Sequence, residues 1–281
     1  MRRAQRFDQA GFTLMDIIVS VGISAMVFGY AAQSLTTTTT QSFDSEVIIT
    51  TEERARSILD LMLFDLRMLG AGIPFDQEGF SMSGSGTSSV ALPILTDSTS
   101  SYIHFRVNEL GKDTLITSAF APSGASSSFT VYSTEDLLED DIIYLSDATT
   151  GGSDGLQGQI SAISGLTVTL SSGFVYSDSA NFPVGSVLNR VTTVEYSSPD
   201  DDSGIVRNNG LGDIVISPNS YFSISYKDQD GNALSLPLSE SDIEDYLAII
   251  DISVTVNSDR KLKDGTTYTA QADSKVTVRG L

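Results

Sequence analysis

The residues of this chain best suited to chemistry lie at its N-terminus, around one glycine and one aspartate. A basic leader, residues 1–11, ends at Gly11, and an apolar run begins at Phe12. Asp16 carries the only charge of residues 12–35. Burying an ionisable group inside such a segment is costly, so its presence there indicates a function. Cleavage after Gly11 would create an amine on Phe12. That amine would lie one helical turn from the Asp16 carboxylate, or the carboxylate would meet the amine of a neighbouring copy.

The apolar run is long enough to cross a bilayer. Residues 12–35 number about 24, and a helix needs about 20 to span the hydrocarbon core. Three interpretations fit: an anchor cut after Gly11, a secretory signal peptide with a small-residue site at Gly29-Tyr30-Ala31, or an uncleaved signal anchor. The acidic Asp8 in the leader and the abrupt start of the run after glycine favour the first.

The segment Gly11-Phe12-Thr13-Leu14, followed by Asp16 and the apolar run, resembles the start of type IV prepilins, the family of pilins and type II secretion pseudopilins. The family signature is Gly-Phe-Thr-Leu-x-Glu, so Asp16 stands where glutamate is usual. The resemblance implies that a prepilin peptidase cleaves after Gly11 and that the new N-terminal Phe12 is N-methylated. It also implies that Asp16 pairs with the N-terminal amine of a neighbouring subunit. Aspartate keeps the charge, but its shorter side chain gives this pair a looser geometry.

The composition excludes several classes of function. The net charge is −20, and no basic patch offsets repulsion from phosphates, so we expect no nucleic-acid binding. Such acidity is typical of an exported surface that stays dispersed by self-repulsion. The chain has no cysteine, so packing alone must stabilise it.

The remainder of the chain offers little catalytic chemistry. Its only histidine, His104, alternates with Tyr102 and Arg106, a pattern that predicts the solvent face of a strand. A single histidine excludes a multi-histidine metal site and disfavours a histidine-based nucleophilic triad. We therefore expect no enzyme activity and no cofactor other than the calcium considered next.

Two acidic loops have carboxylates suited to calcium. The segment Asp228-Gln229-Asp230-Gly231-Asn232 begins like a calcium loop, but Ser239 stands near the position that needs a glutamate. Its Asp-Gly pair favours a hairpin turn instead. Asp200, Asp201 and Asp202 form a denser cluster, for which a solvated turn is the simpler interpretation. The resemblance adds that some pseudopilins bind calcium in loops, so these three aspartates are the candidate metal ligands.

One long helix is predicted to follow from the apolar run. Five threonines at 36–40 have poor helix propensity and predict either a soft spot in a continuing helix or the point where the chain leaves the membrane. From 43 to 69, apolar residues recur at spacings of three and four, which indicates an amphipathic helix that ends at Gly70, Gly72 and Pro74. Its stripe consists of Phe43, Val47, Thr51, Ala55, Ile58, Leu59, Met62, Leu66 and Leu69, and we expect the part from Ile58 onward to be buried beneath a sheet.

Residues beyond the helix are predicted to form a β-rich head. Short β-rich runs are separated by turn residues, and most gaps suit antiparallel hairpins. Helix followed by sheet predicts an α+β fold. The predicted strands are 91–95, 102–107, 128–132, 142–145, 158–163, 166–170, 186–196, 221–226, 249–256 and 268–278, with a short helix within 239–246. The organisation is a leader at 1–11, a membrane or filament-core helix at 12–35, its amphipathic continuation at 36–72 and the head at 73–281.

The resemblance extends more weakly to the helix end and the C-terminus. Residues 53–56 and 63–72 look like the end of the long helix in minor pilins of the W type and pseudopilins of the J type. Residues 254–256 and 275–280 resemble the final hairpin of those proteins. The implied architecture is a pilin-like fold, in which a long N-terminal helix packs on an antiparallel sheet.

These observations predict a minor pilin or pseudopilin that acts through assembly. It would cross the inner membrane once with its head in the periplasm, and then join a type IV pilus or type II secretion pseudopilus at or near the tip. Expected partners are other pilins or pseudopilins, the prepilin peptidase, the inner-membrane assembly platform and the lipid bilayer. The alternative is an exported, signal-anchored β-rich binding or enzymatic domain. A mature chain that begins at Phe12 favours the first, and one that begins at Ala32 favours a signal peptide.

Overall fold

The fold is one long helix followed by antiparallel strands. A computed structural model describes residues 13–73, 92–111, 113–123, 127–147, 155–177, 180–198 and 204–278. The helix α1 (Leu14–Arg67) has 54 residues, which gives a length of about 81 Å at about 1.5 Å per residue. The chain is therefore α+β, as the order of its predicted elements implied. The strands in the described residues are β1 (Tyr102–Val107), β2 (Asp113–Leu115), β3 (Ser128–Thr130), β4 (Ile142–Ser146), β5 (Gly155–Ser164), β6 (Thr167–Leu170), β7 (Val175–Tyr176), β8 (Val187–Ser197), β9 (Ile205–Asn208), β10 (Asp213–Ser217), β11 (Ser220–Lys227), β12 (Ile249–Lys261) and β13 (Thr267–Thr277).

The threonine stretch does not interrupt α1. Threonine side chains donate hydrogen bonds to carbonyl oxygens one turn earlier, from Thr36 to Ala32 at 2.9 Å and from Thr40 to Thr36 at 2.7 Å. These bonds satisfy the hydroxyl groups within the helix, which allows β-branched residues to continue it. Of the two outcomes that the sequence left open, the helix continues.

The two halves of α1 have different surroundings. Residues 14–39 are exposed throughout, whereas the apolar stripe is buried from Val47 onward. Phe43 was assigned to that stripe, but its side chain is 37% exposed. Leu69, the last member, is only partly buried. The buried residues of α1 are Val47, Thr51, Ala55, Ile58, Leu59, Met62, Leu63, Asp65 and Leu66.

A three-stranded sheet in the order β11-β12-β13 covers the second half of α1. Alternate residues of β12, including Ile250, Ile252 and Val254, are buried with the helix stripe. Residues of β1, β8 and β9 complete this first core. An amphipathic helix is stable only when its apolar stripe is covered in this way.

The remaining strands build a second core that the sequence did not predict. It contains residues from Ile116 to Leu188, which lie between β1 and the end of β8. Strand β8 joins the two cores: Val187 to Val191 pair with β4, and Thr192 to Ser197 pair with β1. Inward residues of β8 accordingly belong to different clusters, Leu188 to the second core and Val194 and Tyr196 to the first.

Nine of the ten predicted runs contain a strand, and the run at 91–95 does not. Tyr102–Val107 forms a strand with the bounds predicted. The run at 91–95 is reduced to an isolated bridge between Ile94 and Phe105, and residue 91 lies outside the described residues. Four strands of five residues or fewer were not predicted, namely β2, β7, β9 and β10. The short helix expected at 239–246 is a π-helical turn over Asp242–Tyr246.

Candidate functional site

The described part of the N-terminal motif begins at Thr13, one residue after the predicted N-terminus of the processed chain. Gly11 and Phe12 lie outside the described residues. Thr13 caps α1, and the Asp16 carboxylate accepts hydrogen bonds from the Thr13 hydroxyl at 2.8 Å and its N–H at 3.1 Å. The Asp16 N–H donates back to the Thr13 hydroxyl at 3.4 Å. This is a capping box, which the Thr-x-x-acid spacing could have revealed, although the usual acid there is glutamate.

The far end of α1 is joined to the head by a buried carboxylate. Asp65 is 4% exposed and lies on the same flank of α1 as Ile58, seven residues earlier. Its Oδ2 accepts a hydrogen bond of 2.6 Å from the Tyr196 hydroxyl and one of 2.8 Å from Arg207 Nε. Arg207 also donates to Glu109 Oε1 at 2.7 Å. One helix, two strands and the turn after β1 thus meet at a single guanidinium group.

Burial and hydrogen bonding raise the pKa values of both Tyr196 and Arg207. Burial raises the pKa of Tyr196, and its hydrogen bond to Asp65 raises that pKa further, so the hydroxyl stays a donor. Burial opposes the charge of Arg207, yet the hydrogen bonds to Glu109 and Asp65 outweigh it and raise the pKa of the guanidinium group. Tyr196 and Arg207 therefore both keep their protons near neutral pH, and we assign the cluster a structural role.

The turn after α1 is fitted closely to the same region. Gly70 N–H donates to Arg106 O at 2.9 Å, and Asn108 N–H donates to Ala71 O at 2.9 Å. Gly72 has a φ of +86°, and a Cβ there would lie 3.0 Å from the Asn108 side chain. Glycine is needed at this position for both reasons. The glycines that the sequence identified as helix stops therefore also seat α1 against β1.

Further along α1, Arg54 ties the middle of the helix to the head. Its Nη1 donates to Asp259 Oδ2 at 2.7 Å and its Nε to Ser217 Oγ at 2.8 Å, while Nη2 donates to the carbonyl of Pro218. The first of these hydrogen bonds, with a second from Asn219, lowers the pKa of Asp259. Sequence reasoning noted Arg54 only as part of a resemblance, because its partners lie more than 160 residues away.

The hairpin between β12 and β13 contacts α1 just after the exposed residues 14–39. Lys263 N–H donates to Asp44 Oδ1 at 2.9 Å, and Lys263 Nζ donates to Thr40 Oγ1 at 3.1 Å. Tyr268 donates to Glu52 at 3.1 Å. Of these contacts, the one at Thr40 lies nearest the N-terminus. The head thus meets the helix from about the end of the threonine stretch onward.

His104 lies on the face predicted for it, but other groups cover it. Its side chain is 16% exposed, with Nδ1 3.0 Å from Asp97 and Nε2 3.4 Å from Glu195. Tyr102 shares this face, and burial together with the nearby Glu195 and Asp97 raises its pKa to about 12. The expectation of a solvent-facing histidine is therefore only partly right, since two carboxylates flank the ring. In the part of the chain that the structure describes, no nucleophile completes a triad with it.

The structure describes only one of the two acidic loops. Asp200, Asp201 and Asp202 lie outside the described residues. The segment from Asp228 to Asn232 is the predicted hairpin turn: the Asp228 N–H donates to the Asn232 carbonyl at 3.0 Å, and Gly231 has a φ of +86°. Among the described residues, no group of three or more histidine, aspartate or glutamate side chains is arranged to hold a metal.

A groove of about 700 Å³ lies between the two cores, next to the Arg207 cluster. Its walls come from the turn after β1, the turn before β4, the middle of β8 and the turn between β9 and β10. The Arg190 side chain lies within it, with Nε 2.9 Å from Asp141 Oδ1. The groove was not foreseen, because it is assembled from four segments that are far apart in sequence.

Helix α1 is the one segment of the described chain that is long and apolar enough to cross a membrane, and a signal sequence would pass the same test. Comparisons of the chain with models of protein families, with curated proteins and with solved structures return no match.

Proposed function

We propose that this chain is a minor pilin or pseudopilin with a pilin-like fold, inserted in the inner membrane and assembled at or near the tip of a type IV pilus or type II secretion pseudopilus. The observation that carries the proposal is the motif Gly11-Phe12-Thr13-Leu14 at the head of one unbroken helix. The first part of that helix is apolar and exposed, and its second part is buried under an antiparallel sheet.

The division of α1 supports an anchor that continues into a folded head. Residues 14–39 are exposed in the structure, so a bilayer or the helices of other subunits would have to cover their apolar side chains. From Thr40 onward the head braces the helix through Lys263, Arg54 and Asp65. If residues up to Ala31 were a signal peptide, cleavage after Ala31 would cut this continuous helix within its exposed part.

The geometry at Asp16 supports a role in assembly. Its carboxylate is exposed and already oriented at the first turn by Thr13. A carboxylate held at the N-terminus of an apolar helix would be available to the N-terminal amine of an adjacent subunit. The head supports a minor rather than a principal subunit, since its second core adds an irregular lobe to a helix-and-sheet unit.

Determination of the mature N-terminus tests the proposal. We expect mass spectrometry of the protein from its native membranes to give a chain that starts at Phe12 and carries one additional methyl group. A chain that starts at Ala32, or one that retains residues 1–11, would contradict it. Ala32 would favour the alternative, an exported β-rich binding or enzymatic domain.

The position in the filament is tested separately by counting subunits. We expect quantitative proteomics of sheared filaments to find far fewer copies of this chain than of the principal subunit. Equal amounts would rule out the minor role while leaving the processing of Phe12 intact.

A further inference from the structure

The groove between the two cores has apolar side chains at its edges that no described element covers. Leu110 is 52% exposed, Leu138 is 60% exposed and Leu211 is 90% exposed, and all three line the groove. They come from three different turns, yet they surround one depression of about 700 Å³. Exposed leucines occur singly on most surfaces, but three around one concave site mark a surface suited to a ligand.

The charge of the groove restricts what can bind there. Four carboxylates line it, from Glu109, Glu139, Asp140 and Asp141, against the single cation of Arg190. Glu109 and Asp141 are paired with arginines. Within the described residues, Glu139 and Asp140 form no ion pair, and both are exposed. A ligand with positive charge is therefore attracted by the groove and by the chain as a whole, which has a net charge of −20.

The size and rim of the groove indicate a polypeptide rather than a small cation. Leu211 lies in the turn between β9 and β10 and Leu138 in the turn before β4, so a ligand must span the groove to cover both. An extended segment with alternating apolar and basic side chains can bury the leucines and meet the carboxylates together.

The groove also lies at the right end of the molecule for such a partner. Glu109 in its wall is linked through Arg207 to Asp65. Asp65 is 25 residues beyond Thr40 in the same helix, about 38 Å at about 1.5 Å per residue. The groove therefore lies far from the exposed apolar half of α1, at the opposite end of the head from any bilayer that this half enters.

We propose that this groove binds an extended, basic and apolar segment of another protein. The inference goes beyond the proposed function and needs only the folded head, so it stands or fails independently of processing at Phe12. The exposed leucines supply burial, while Glu139 and Asp140 favour basic side chains over acidic ones.

Fluorescence anisotropy with two short labelled peptides tests this. One alternates lysine with leucine and the other alternates glutamate with leucine. The full-length protein is held in phosphatidylcholine nanodiscs, and empty discs give the baseline. We expect the lysine peptide to bind and the glutamate peptide not to bind, and we expect added NaCl to weaken binding because the attraction is partly electrostatic. Equal binding of both peptides, or no binding of the lysine peptide, would overturn the proposal.

Substitutions locate the binding. Leu211→Ser and Glu139→Lys each change an exposed side chain of the groove. We expect each to lower the affinity for the lysine peptide by about tenfold or more. The matched controls are Leu166→Ser, in the turn between β5 and β6, and Glu53→Lys, on the exposed face of α1. Thermal melting checks that all four variants are folded. Should the controls lose as much affinity as the groove variants, the peptide binds elsewhere and the assignment is wrong.

Discussion

Removal of the Asp65 carboxylate is the sharpest test of how the helix is held to the head. Asp65→Ala deletes the acceptor of the Tyr196 hydroxyl and of Arg207 Nε. The arginine side chain is 13% exposed, so it cannot recover full hydration in the variant. In the variant Arg207 keeps its ion pair with Glu109, whose side chain is 30% exposed, so its charge is still partly compensated.

These facts set the size of the expected effect. Breaking a buried ion pair by removing one partner costs about 3–5 kcal/mol, and the surviving contact to Glu109 places Asp65→Ala near the low end, at about 3 kcal/mol. That is a large share of the roughly 5–15 kcal/mol that stabilise a typical domain. For a head of this size it corresponds to a fall in melting temperature of about 6–12 °C. Asp65→Asn keeps the volume and one acceptor, so its effect should be about half as large.

Unfolding of the full-length protein in non-ionic detergent measures this. The chain has no tryptophan and 10 tyrosines, so tyrosine fluorescence and circular dichroism can follow urea and heat unfolding. Asp60→Ala, five residues earlier on the exposed face, is the matched control and should change stability little. A double-mutant cycle with Arg207→Ala isolates the pair. If Asp65→Ala unfolds like Asp60→Ala, the buried cluster does not hold the helix, and our account of this joint is incorrect.

Four further predictions follow from other parts of the molecule. Leu66→Ala should destabilise the head by about 2–5 kcal/mol, because Leu66 is 2% exposed in the first core; an unchanged urea midpoint would show that the stripe is not packed. Gly204→Ala should destabilise by at least about 1–3 kcal/mol, because the φ of Gly204 is +89° and a Cβ would lie 2.2 Å from the Ser217 carbonyl oxygen; a melting temperature equal to wild type would contradict that geometry. The pKa of Asp259 is lowered from 3.8 in the folded state, so its contribution to stability is present above that pH and is lost as pH falls through the folded value; acid titration of stability should therefore be less steep in Asp259→Asn, and equal slopes would refute the link. Asp16→Ala should leave insertion into the membrane intact, because it removes a charge from an apolar helix, but should reduce recovery in sheared filaments; undiminished recovery would exclude its proposed pairing with a neighbouring amine.

The elements that the sequence predicted are those whose patterns are local. The first part of α1 follows from an apolar run and its second part from apolar spacing, and its end follows from Gly70 and Gly72, whereas its continuity through the threonines at 36–40 was left open by the sequence. Strand β1 follows from strict alternation over Tyr102–Val107. In each case the residues that define the element lie within a few positions of one another, so periodicity alone identifies them.

The features that the sequence did not predict depend on contacts between distant residues. Leu188 and Val194 are both apolar residues of one strand, yet they lie in different cores, and no local pattern separates them. Asp65 gave one usable signal, a carboxylate on the apolar flank of a helix, which requires a buried partner. The partner itself, Arg207, is 142 residues further along the chain, and spacing cannot identify it. The groove is hidden for the same reason.

The way the second core is attached has a consequence for how such a head can vary. The chain leaves β1 at Val107 and returns on β8 at Thr192, and these two residues are cross-strand partners. Residues 108–191 are therefore an insertion whose two ends lie side by side, and a tight turn in their place would close β1 and β8 into an ordinary hairpin. Loops whose ends are adjacent accept long insertions at little entropic cost. The groove walls that carry Leu138 and Glu139 belong to this insertion. The wall that carries Leu211 lies outside it. The contacts that Asp65, Arg54 and Lys263 make between α1 and the head also lie outside it. Exchange of one lobe beyond Glu109 can thus redefine what the far end of the head recognises, while the partners of Asp65, Arg54 and Lys263 stay in place.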